Sequence, residues 1–302
     1  MKRSSIYIFL FILIWSGLVY AESSTCPYVG AIRWDAWHGD KGPVGKYVEK
    51  DLSHSQWHYR VPFCGQILSE NKVKIDCATP EVMTKEISYA EEAQLDYWAF
   101  LFYPIDNPMS SQFKLFIENP ANKSIKFAFI LQFGHLVPQK YNEINNHVAS
   151  LVTRINYLKI NNKPVVFIFN INEVSLNKAW GEAKNFKRIV LDDLIAKVLK
   201  ATGTKPYFIV MDFNPETASK WADIFELSAI STYATHPGEK GSYKDLVKQD
   251  INYWNRATKT GKTVIPIVMT GWDPQPRVPN PAPWMNKKYL ENAKKVFFET
   301  PT

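Results

Sequence analysis

Acidic, amide, imidazole and aromatic side chains are concentrated directly after short apolar segments of this sequence. The first such group is Arg33-Trp34-Asp35-Ala36-Trp37-His38, and the last is Gly271-Trp272-Asp273-Pro274-Gln275-Pro276-Arg277. Tyr103, Tyr233 and His236 follow two of the apolar segments in between. Such polar groups can hydrogen-bond sugar hydroxyls, and Trp and Tyr rings can pack against the C–H faces of a sugar. The mixture predicts a site for an oligosaccharide or polysaccharide.

Two of the acidic residues are candidates for catalysis. Hydrolysis of a glycosidic bond uses a pair of carboxyl groups that flank the bond. Glu173 and Asp273 each follow an apolar segment, so they are the catalytic pair that we expect if the protein is a glycoside hydrolase. An acid in such a place can equally cap a helix or form an ion pair in a loop. No metal and no cofactor is expected, since His54 and His58 lack the glutamate of a zinc protease.

Alternating strand and helix patterns supply the framework for these side chains. Short segments rich in β-branched and aromatic residues alternate with longer segments of helical period. The predicted strands are Tyr28–Trp34, Leu95–Tyr103, Ile125–Gln132, Pro164–Asn170, Pro206–Asp212, Leu227–Tyr233 and Thr263–Thr270. The predicted helices are Pro80–Ala93, Ser110–Glu118, Lys140–Ile160, Asn185–Ala201, Glu216–Phe225, Tyr243–Thr258 and Lys287–Phe298. Repetition of this unit predicts right-handed βαβ crossovers and a parallel sheet.

The number of these units favours an α/β fold of the (β/α)8 TIM-barrel type. A doubly wound sheet is less favoured because Gly30-Ala31-Ile32 lacks its Gly-rich phosphate turn. Seven strand–helix units are predicted, and the eighth is expected to be missing. In such barrels the functional residues lie at the carboxyl ends of the strands. We therefore expect one barrel domain over residues 22–302, with the polar side chains gathered at that end.

The first 21 residues have the pattern of a secretory signal peptide. Lys2 and Arg3 precede an apolar run from Ile6 to Leu18, and Val19-Tyr20-Ala21 provides the small residues of a cleavage site. We expect the protein to be secreted or periplasmic, without a stable membrane anchor. An uncleaved signal anchor is the alternative.

The cysteines predict a disulfide, and the distribution of charge bears on the class of binding partner. Export exposes thiols to an oxidising compartment, and Cys64 and Cys77 are near enough in sequence to close a short loop. We expect a disulfide between them, with Cys26 left over. The 36 basic and 29 acidic side chains are scattered along the chain, so the net charge of +7 does not predict a nucleic-acid partner.

Several segments of the sequence resemble a known family. Gly30-Ala31-Ile32-Arg33-Trp34-Asp35-Ala36-Trp37, Arg60-Val61-Pro62-Phe63, Glu86-Ile87-Ser88-Tyr89-Ala90, Leu95-Asp96-Tyr97-Trp98-Ala99-Phe100 and Gly271-Trp272-Asp273-Pro274-Gln275-Pro276-Arg277 are similar to the glycoside hydrolase family 99-like group. That group includes proteins called glycosyltransferase WbsX-like. The resemblance covers essentially the whole mature chain and is most specific in its last motif. It implies a (β/α)8 barrel and a retaining endo-α-mannosidase or endo-mannanase that needs no metal.

The resemblance also implies which residues form the substrate cleft. The matching positions are Trp34, Asp35, Trp37 and His38 after the first strand, and Trp272, Asp273 and Arg277 after the seventh. The two catalytic glutamates of the family follow the eighth strand, and that segment has no counterpart in this sequence. The assignment of Tyr103, Tyr233 and His236 to substrate binding comes from the residue pattern alone.

The missing eighth segment leaves three functions open. The first is an exported glycan-active hydrolase whose sequence is truncated or frame-shifted before the eighth strand. The second is a non-catalytic carbohydrate-binding barrel that keeps the cleft and lacks the acids. The third is an enzyme that uses Glu173 and Asp273 as its acid and base. A glycosyltransferase is less favoured because export leaves little nucleotide-sugar donor to use.

Overall fold

The computed structural model describes residues 27–235, 242–271 and 275–279, and a parallel sheet lies at its centre. The strands are β1 (Gly30–Arg33), β2 (Gln66–Ser69), β3 (Lys72–Lys74), β4 (Tyr97–Leu101), β5 (Lys126–Gln132), β6 (Lys159–Ile160), β7 (Lys163–Phe169), β8 (Tyr207–Met211) and β9 (Ala229–Ser231). The helices are α1 (Pro43–Leu52), α2 (Pro80–Glu92), α3 (Ser111–Glu118), α4 (Tyr141–Leu151), α5 (Glu173–Trp180), α6 (Ala183–Phe186), α7 (Asp192–Thr202), α8 (Pro215–Phe225) and α9 (Tyr243–Lys259).

The central sheet is curled into a half-barrel. Its strand order is β1-β4-β5-β7-β8-β9, and each neighbouring pair in that order is parallel. The short β6 is added as an antiparallel partner of β7. Ile32 of β1, Phe167 of β7 and Ile265 beyond β9 line one cavity, because the sheet curves round far enough for its two ends to face a common interior.

Side-chain alternation along the strands separates two apolar layers. On β4 and β5, Ala99 and Ile130 face the interior of the half-barrel, whereas Phe100 and Phe129 pack with the helices on its outer side. Both faces of a strand are covered in this way, which explains why the segments read as continuous apolar runs. The inner side chains are often small, and Gly30 is required opposite Tyr97 because a Cβ atom there would lie 2.3 Å from the Tyr97 ring.

Local sequence signals define the ends of several helices. Thr79 accepts a hydrogen bond from the backbone nitrogen of Val82 and caps α2, which begins at Pro80 as predicted. Asn172 and Asn214 cap α5 and α8 in the same way. Gly203 ends α7 with a φ of 74°, the left-handed conformation that favours glycine.

Six of the seven predicted strands are confirmed, whereas the count of seven units is not. The seventh segment, Thr263–Thr270, contributes a single parallel bridge between Val264 and Ile230. Pro266 interrupts this segment, and proline has no N–H group to extend a ladder of hydrogen bonds. The predicted helix Lys287–Phe298 lies outside the described residues. The structure therefore has part of a TIM barrel where the sequence predicted seven regular units.

The predicted helix Lys140–Ile160 is too long, because the residues at its end pair with the sheet. Helix α4 ends at Leu151, and Lys159–Ile160 forms β6. The backbone nitrogen of Leu158 donates to the carbonyl of Phe127 at 2.7 Å, so the chain joins the sheet before β6 begins. Burial against the sheet outweighs the helical pattern here.

The long segment Ala36–Ala78, to which the sequence assigned no strand or helix, contains helix α1 and the β2–β3 hairpin. It has a small apolar core of its own, formed by Leu52, Val73, Ile75 and Cys77. Cys64 and Cys77 are joined by a disulfide, with their Cα atoms 5.4 Å apart. We call this segment the disulfide loop. In the described part of the chain, no helix is long and apolar enough to cross a membrane.

Candidate functional site

The candidate site lies at the carboxyl end of the half-barrel. Ile32, Leu101, Ile130, Phe167 and Ala229 face the interior, so the side chains two residues further along each strand, or four residues after Ala229, face the same way at its open end. Those side chains are Trp34, Tyr103, Gln132, Phe169 and Tyr233. We call this group the mouth. It combines four aromatic rings with one amide.

Trp34 and Tyr103 connect the first two strands of the sheet across the mouth. The Trp34 indole nitrogen donates a hydrogen bond of 3.1 Å to the Tyr103 hydroxyl, although the residues are 69 positions apart in sequence. Both side chains are only partly buried. The bond fixes the orientation of both rings while part of each ring stays accessible to a ligand.

Tyr233 and Phe169 form the opposite part of the mouth. Their rings stack with centroids 4.8 Å apart, and Phe213 packs against Phe169 edge-on at 5.6 Å. Burial raises the pKa of Tyr233 to about 12, with smaller contributions from Tyr103 and Asp35. The Tyr233 hydroxyl is therefore neutral at physiological pH and acts as a hydrogen-bonding group.

Two buried polar atoms beside the mouth lack a partner among the described residues. They are the amide nitrogen of Gln132 and Nδ1 of His135. The His135 ring lies 5.7 Å from the Tyr103 ring, and burial followed by the charge of Lys140 lowers its pKa. A buried polar group is normally hydrogen-bonded, so these two atoms lack the partner that such groups usually have.

Asp35 is neutralised from the side of the helices. The Arg33 guanidinium donates to Asp35 at 2.8 and 3.0 Å and to Glu86 at 2.9 Å, and it lies 4.4 Å from the centroid of the Trp98 ring. Burial acts to lower the pKa of Arg33, but the two carboxylates outweigh it and raise that pKa above its ordinary value. The ion-pair network orients Asp35 beside the mouth.

Arg277 approaches the mouth from a short turn at Gln275–Arg277. Its guanidinium lies 5.6 Å from the centroid of the Trp34 ring, and its Nε is 3.9 Å from the Asp51 carboxylate of α1. Arg277 thus contacts a mouth residue directly, and its role in substrate binding stays a prediction.

Of the two predicted catalytic acids, Glu173 lies in the described part of the chain. Glu173 lies in the first turn of α5, where the helix N-terminus favours a negative charge. Its side chain is 63% exposed and forms an ion pair with Lys220 at 3.0 Å. Asp273 lies outside the described residues, as do Trp272 and His236. Glu173 thus has the environment of an exposed ion pair.

Trp37 and His38 belong to the core of the disulfide loop. Trp37 packs against the apolar cluster of that loop. His38 is only 1% exposed, and burial lowers its pKa. Its ring lies beside Gly42 and Gly45, two positions where a Cβ atom would come within 3.2 and 2.9 Å of it. In this arrangement His38 is enclosed by the loop, and both of its ring nitrogens lack a hydrogen-bond partner among the described residues.

Sequence reasoning missed Phe169 as a member of the mouth, because an aromatic residue inside a predicted strand indicates the core. Gln132 ends the predicted strand Ile125–Gln132, so its place at this end of the sheet follows from the sequence. Strand alternation counted from Ile130 and Phe167, whose side chains occupy the interior, identifies both residues. Within the described ranges, no three His, Cys, Asp or Glu residues are grouped closely enough to hold a metal ion.

Comparison of the whole chain with known proteins identifies the fold. No protein-family model matches the chain, and no curated protein matches it. A GH99 endo-α-mannosidase from Bacteroides thetaiotaomicron, solved in complex with bis-tris propane, superposes with a TM-score of 0.53 and 16% identity over 89% of this chain and 77% of the other. The fold is GH99-like.

A second structure of a GH99 endo-α-mannosidase from Bacteroides thetaiotaomicron has a TM-score of 0.47 and 18% identity, covering 76% of this chain and 67% of the other. At this level of identity the first match establishes the fold of this protein alone. The GH99-like fold agrees with the family resemblance noted in the sequence. It also explains why the polar and aromatic residues gather at the carboxyl ends of the strands.

Proposed function

We propose that this protein is an exported glycan-active protein that binds an oligosaccharide at the mouth of its half-barrel. The observation that carries the proposal is the mouth itself, in which the Trp34–Tyr103 hydrogen bond and the Tyr233–Phe169 stack present aromatic faces together with hydroxyl groups. Aromatic faces and hydrogen-bonding groups are the two features that recognise a sugar ring.

The substrate class is an α-mannoside. The family resemblance implies this class, and the structurally similar protein is an endo-α-mannosidase. A groove of about 400 Å³ lies between the loop after β5 and helix α5, lined by residues that include Leu136, Pro138 and Lys178. Phe133, the residue after Gln132 of the mouth, lines this groove, and we propose that the groove takes sugar units beyond the first.

Hydrolysis and binding without turnover are the two forms that this function can take. Hydrolysis requires two carboxyl groups that flank the bond, and Glu173 and Asp273 are the candidates for this pair. The engagement of Glu173 by Lys220, and of Asp35 by Arg33, favours the non-catalytic form for the described part of the site. The expected signal peptide over residues 1–21 brings either form to a secreted or periplasmic location.

Isothermal titration with α-linked manno-oligosaccharides tests the binding proposal. We expect saturable binding by the wild type and loss of binding in Trp34→Ala and Tyr233→Ala. Tyr59→Ala is the matched control, because Tyr59 is an exposed aromatic residue of the disulfide loop and not of the mouth. Equal loss in the control, or full binding by Trp34→Ala, would contradict the proposal.

A product assay on the same oligosaccharides separates the two forms of the function. Release of shorter saccharides by the wild type, with loss of release in Glu173→Gln and Asp273→Asn, would establish hydrolysis by this pair. Binding without any product would establish the non-catalytic form. N-terminal sequencing of the protein from the culture medium or periplasm tests export, since cleavage after Ala21 is expected.

A further inference from the structure

Asp51 of helix α1 is a buried carboxylate that is not part of the mouth. Its side chain is 5% exposed, and its Oδ1 has no hydrogen-bond partner among the described residues. Burial of a carboxylate without full hydrogen bonding is unfavourable, so a buried carboxylate needs an opposite charge nearby. The residue that it faces is Arg277, at 3.9 Å from its Oδ2.

A chain of contacts leads from Asp51 to the mouth. Arg277 faces Asp51 on one side, and its guanidinium lies over the Trp34 ring on the other. Trp34 in turn donates its hydrogen bond to Tyr103. Each contact in this chain orients the next group, and the last two groups form the surface that would contact a sugar.

The other charged groups on the elements that pack against α1 are engaged or exposed. Lys41 pairs with Asp76 at 3.2 Å, and Nε2 of His58 is 3.0 Å from the carbonyl of Ser53. The guanidinium of Arg60 lies over the Trp57 and Tyr59 rings. Asp40, His54, Lys72 and Lys74 are exposed. Among the described residues, the charges that act on Asp51 are therefore Arg277 and, on its own helix, Lys50.

We propose that Asp51 is a positioning residue for the mouth: it holds Arg277 over the Trp34 ring and so fixes the aromatic surface on which the glycan packs. This inference rests on the proposed function, because it assigns Asp51 a role in the same site. Asp51 does not contact the ligand. Its effect passes through Arg277 and Trp34.

The charge of Asp51 makes this positioning dependent on pH. Burial raises the pKa of Asp51 to about 7, while Arg277 and Lys50 act in the opposite direction. Above about pH 7 the carboxylate is ionised and attracts Arg277, whereas below that pH it is neutral and the attraction is lost. Glycan affinity should therefore be higher on the alkaline side of this pH.

Nuclear magnetic resonance of 15N-Trp-labelled protein tests the contact chain without any glycan. The indole signal of Trp34 is assigned by its loss in Trp34→Phe. We expect this signal to shift with a midpoint near pH 7 in the wild type and to stay constant through that range in Asp51→Asn. Asp223→Asn is the matched control, because Asp223 forms an exposed ion pair with Lys262 and should leave the titration unchanged.

Titration of an α-manno-oligosaccharide tests the consequence for binding. A cation–π contact at a partly exposed site corresponds to an affinity change of about two- to fivefold, so wild-type binding should weaken by that factor from about pH 8 to about pH 6. Asp51→Asn should show the weaker affinity at both values. The wild-type titration of Trp34 remains informative even if a variant folds poorly.

The outcomes of the two experiments are distinguishable. A constant Trp34 signal in the wild type, or an unchanged titration in Asp51→Asn, overturns the positioning role of Asp51. Glycan binding with the same pH profile in the wild type and in Asp51→Asn also overturns it and leaves the proposed function intact. A titrating Trp34 signal without glycan binding at any pH supports the contact chain and contradicts the proposed function instead.

Discussion

The indole nitrogen of Trp34 donates a hydrogen bond to the hydroxyl of Tyr103 at 3.1 Å, across the carboxyl ends of β1 and β4. These strands are neighbours in the sheet, with Gly30 paired to Tyr97 and Arg33 to Phe100. The register of the two strands therefore determines that the two side chains meet. The mouth is preformed by the backbone of the sheet, which reduces the entropy that ligand binding must offset.

Removal of the Tyr103 hydroxyl should weaken glycan binding and lower the free energy of unfolding by about 1 kcal/mol. Tyr103→Phe deletes the acceptor for Trp34, and a hydrogen bond of this kind contributes about 1 kcal/mol, which corresponds to roughly fivefold in affinity. Titration with α-manno-oligosaccharides measures the effect. Tyr59→Phe, which removes an exposed hydroxyl, is the control and should bind like the wild type. Unchanged affinity in Tyr103→Phe would show that the Trp34–Tyr103 bond does not organise the binding surface.

Loss of the Arg33 guanidinium should destabilise the whole fold. Arg33→Ala leaves the buried Asp35 and the half-buried Glu86 without their common partner, and breaking a buried ion pair such as Arg33–Asp35 costs about 3–5 kcal/mol. The exposed pair of Lys220 with Glu173 provides the comparison, since Lys220→Ala should change the free energy of unfolding by less than about 1 kcal/mol. Urea denaturation measures both. Similar values for the two variants would refute this account of Asp35.

The Cys64–Cys77 disulfide should stabilise the disulfide loop. Replacement of both residues by Ser removes a cross-link across a sequence separation of 13 residues, for which chain entropy suggests a loss of about 3 kcal/mol. Thermal denaturation of the wild type and the double variant tests the size of this effect. Alkylation mass spectrometry on the exported protein tests the bond itself, and two free thiols at these positions would argue against it.

Stability should fall as the pH rises through the range in which Asp51 titrates. The pKa of Asp51 is raised from 3.8 to about 7 by burial, so the folded state keeps its proton where the unfolded state has lost it. The contribution of Asp51 is fully present below the lower value and is lost as the pH rises through the higher one. Asp51→Asn should therefore be more stable than the wild type at about pH 8 and close to it at about pH 4, as measured by urea denaturation. A constant difference between the two proteins would exclude a raised pKa at Asp51.

Strand segments could be predicted from the sequence because they are covered on both faces. Val165, Val166 and Phe167 are all buried, so the run is apolar without alternation, and its place as a central strand follows. The segment around Pro266 misled the prediction, since it is equally apolar but cannot extend the ladder of hydrogen bonds. The end of α4 was missed because the pairing of Leu158 with Phe127 is a tertiary contact, which the local sequence pattern does not predict.

The candidate site could be predicted in part. Trp34, Tyr103, Tyr233 and Arg277 come from the rule that functional groups follow parallel strands, and the structure places each of them at or beside the mouth. Trp37 and His38 follow β1 just as closely, but the disulfide loop folds over them into a core of its own. Asp51 was not identified at all, because its contact with Arg277 joins helix α1 to a turn that is far away in sequence.

The crystal structure of the complex with an α-linked manno-oligosaccharide is the most direct test of the proposed function. We expect a sugar ring to pack on Trp34 and Tyr233, with its hydroxyl groups within hydrogen-bond distance of Gln132 and His135. A glycan bound on another surface, with these four side chains free of contact, would contradict it.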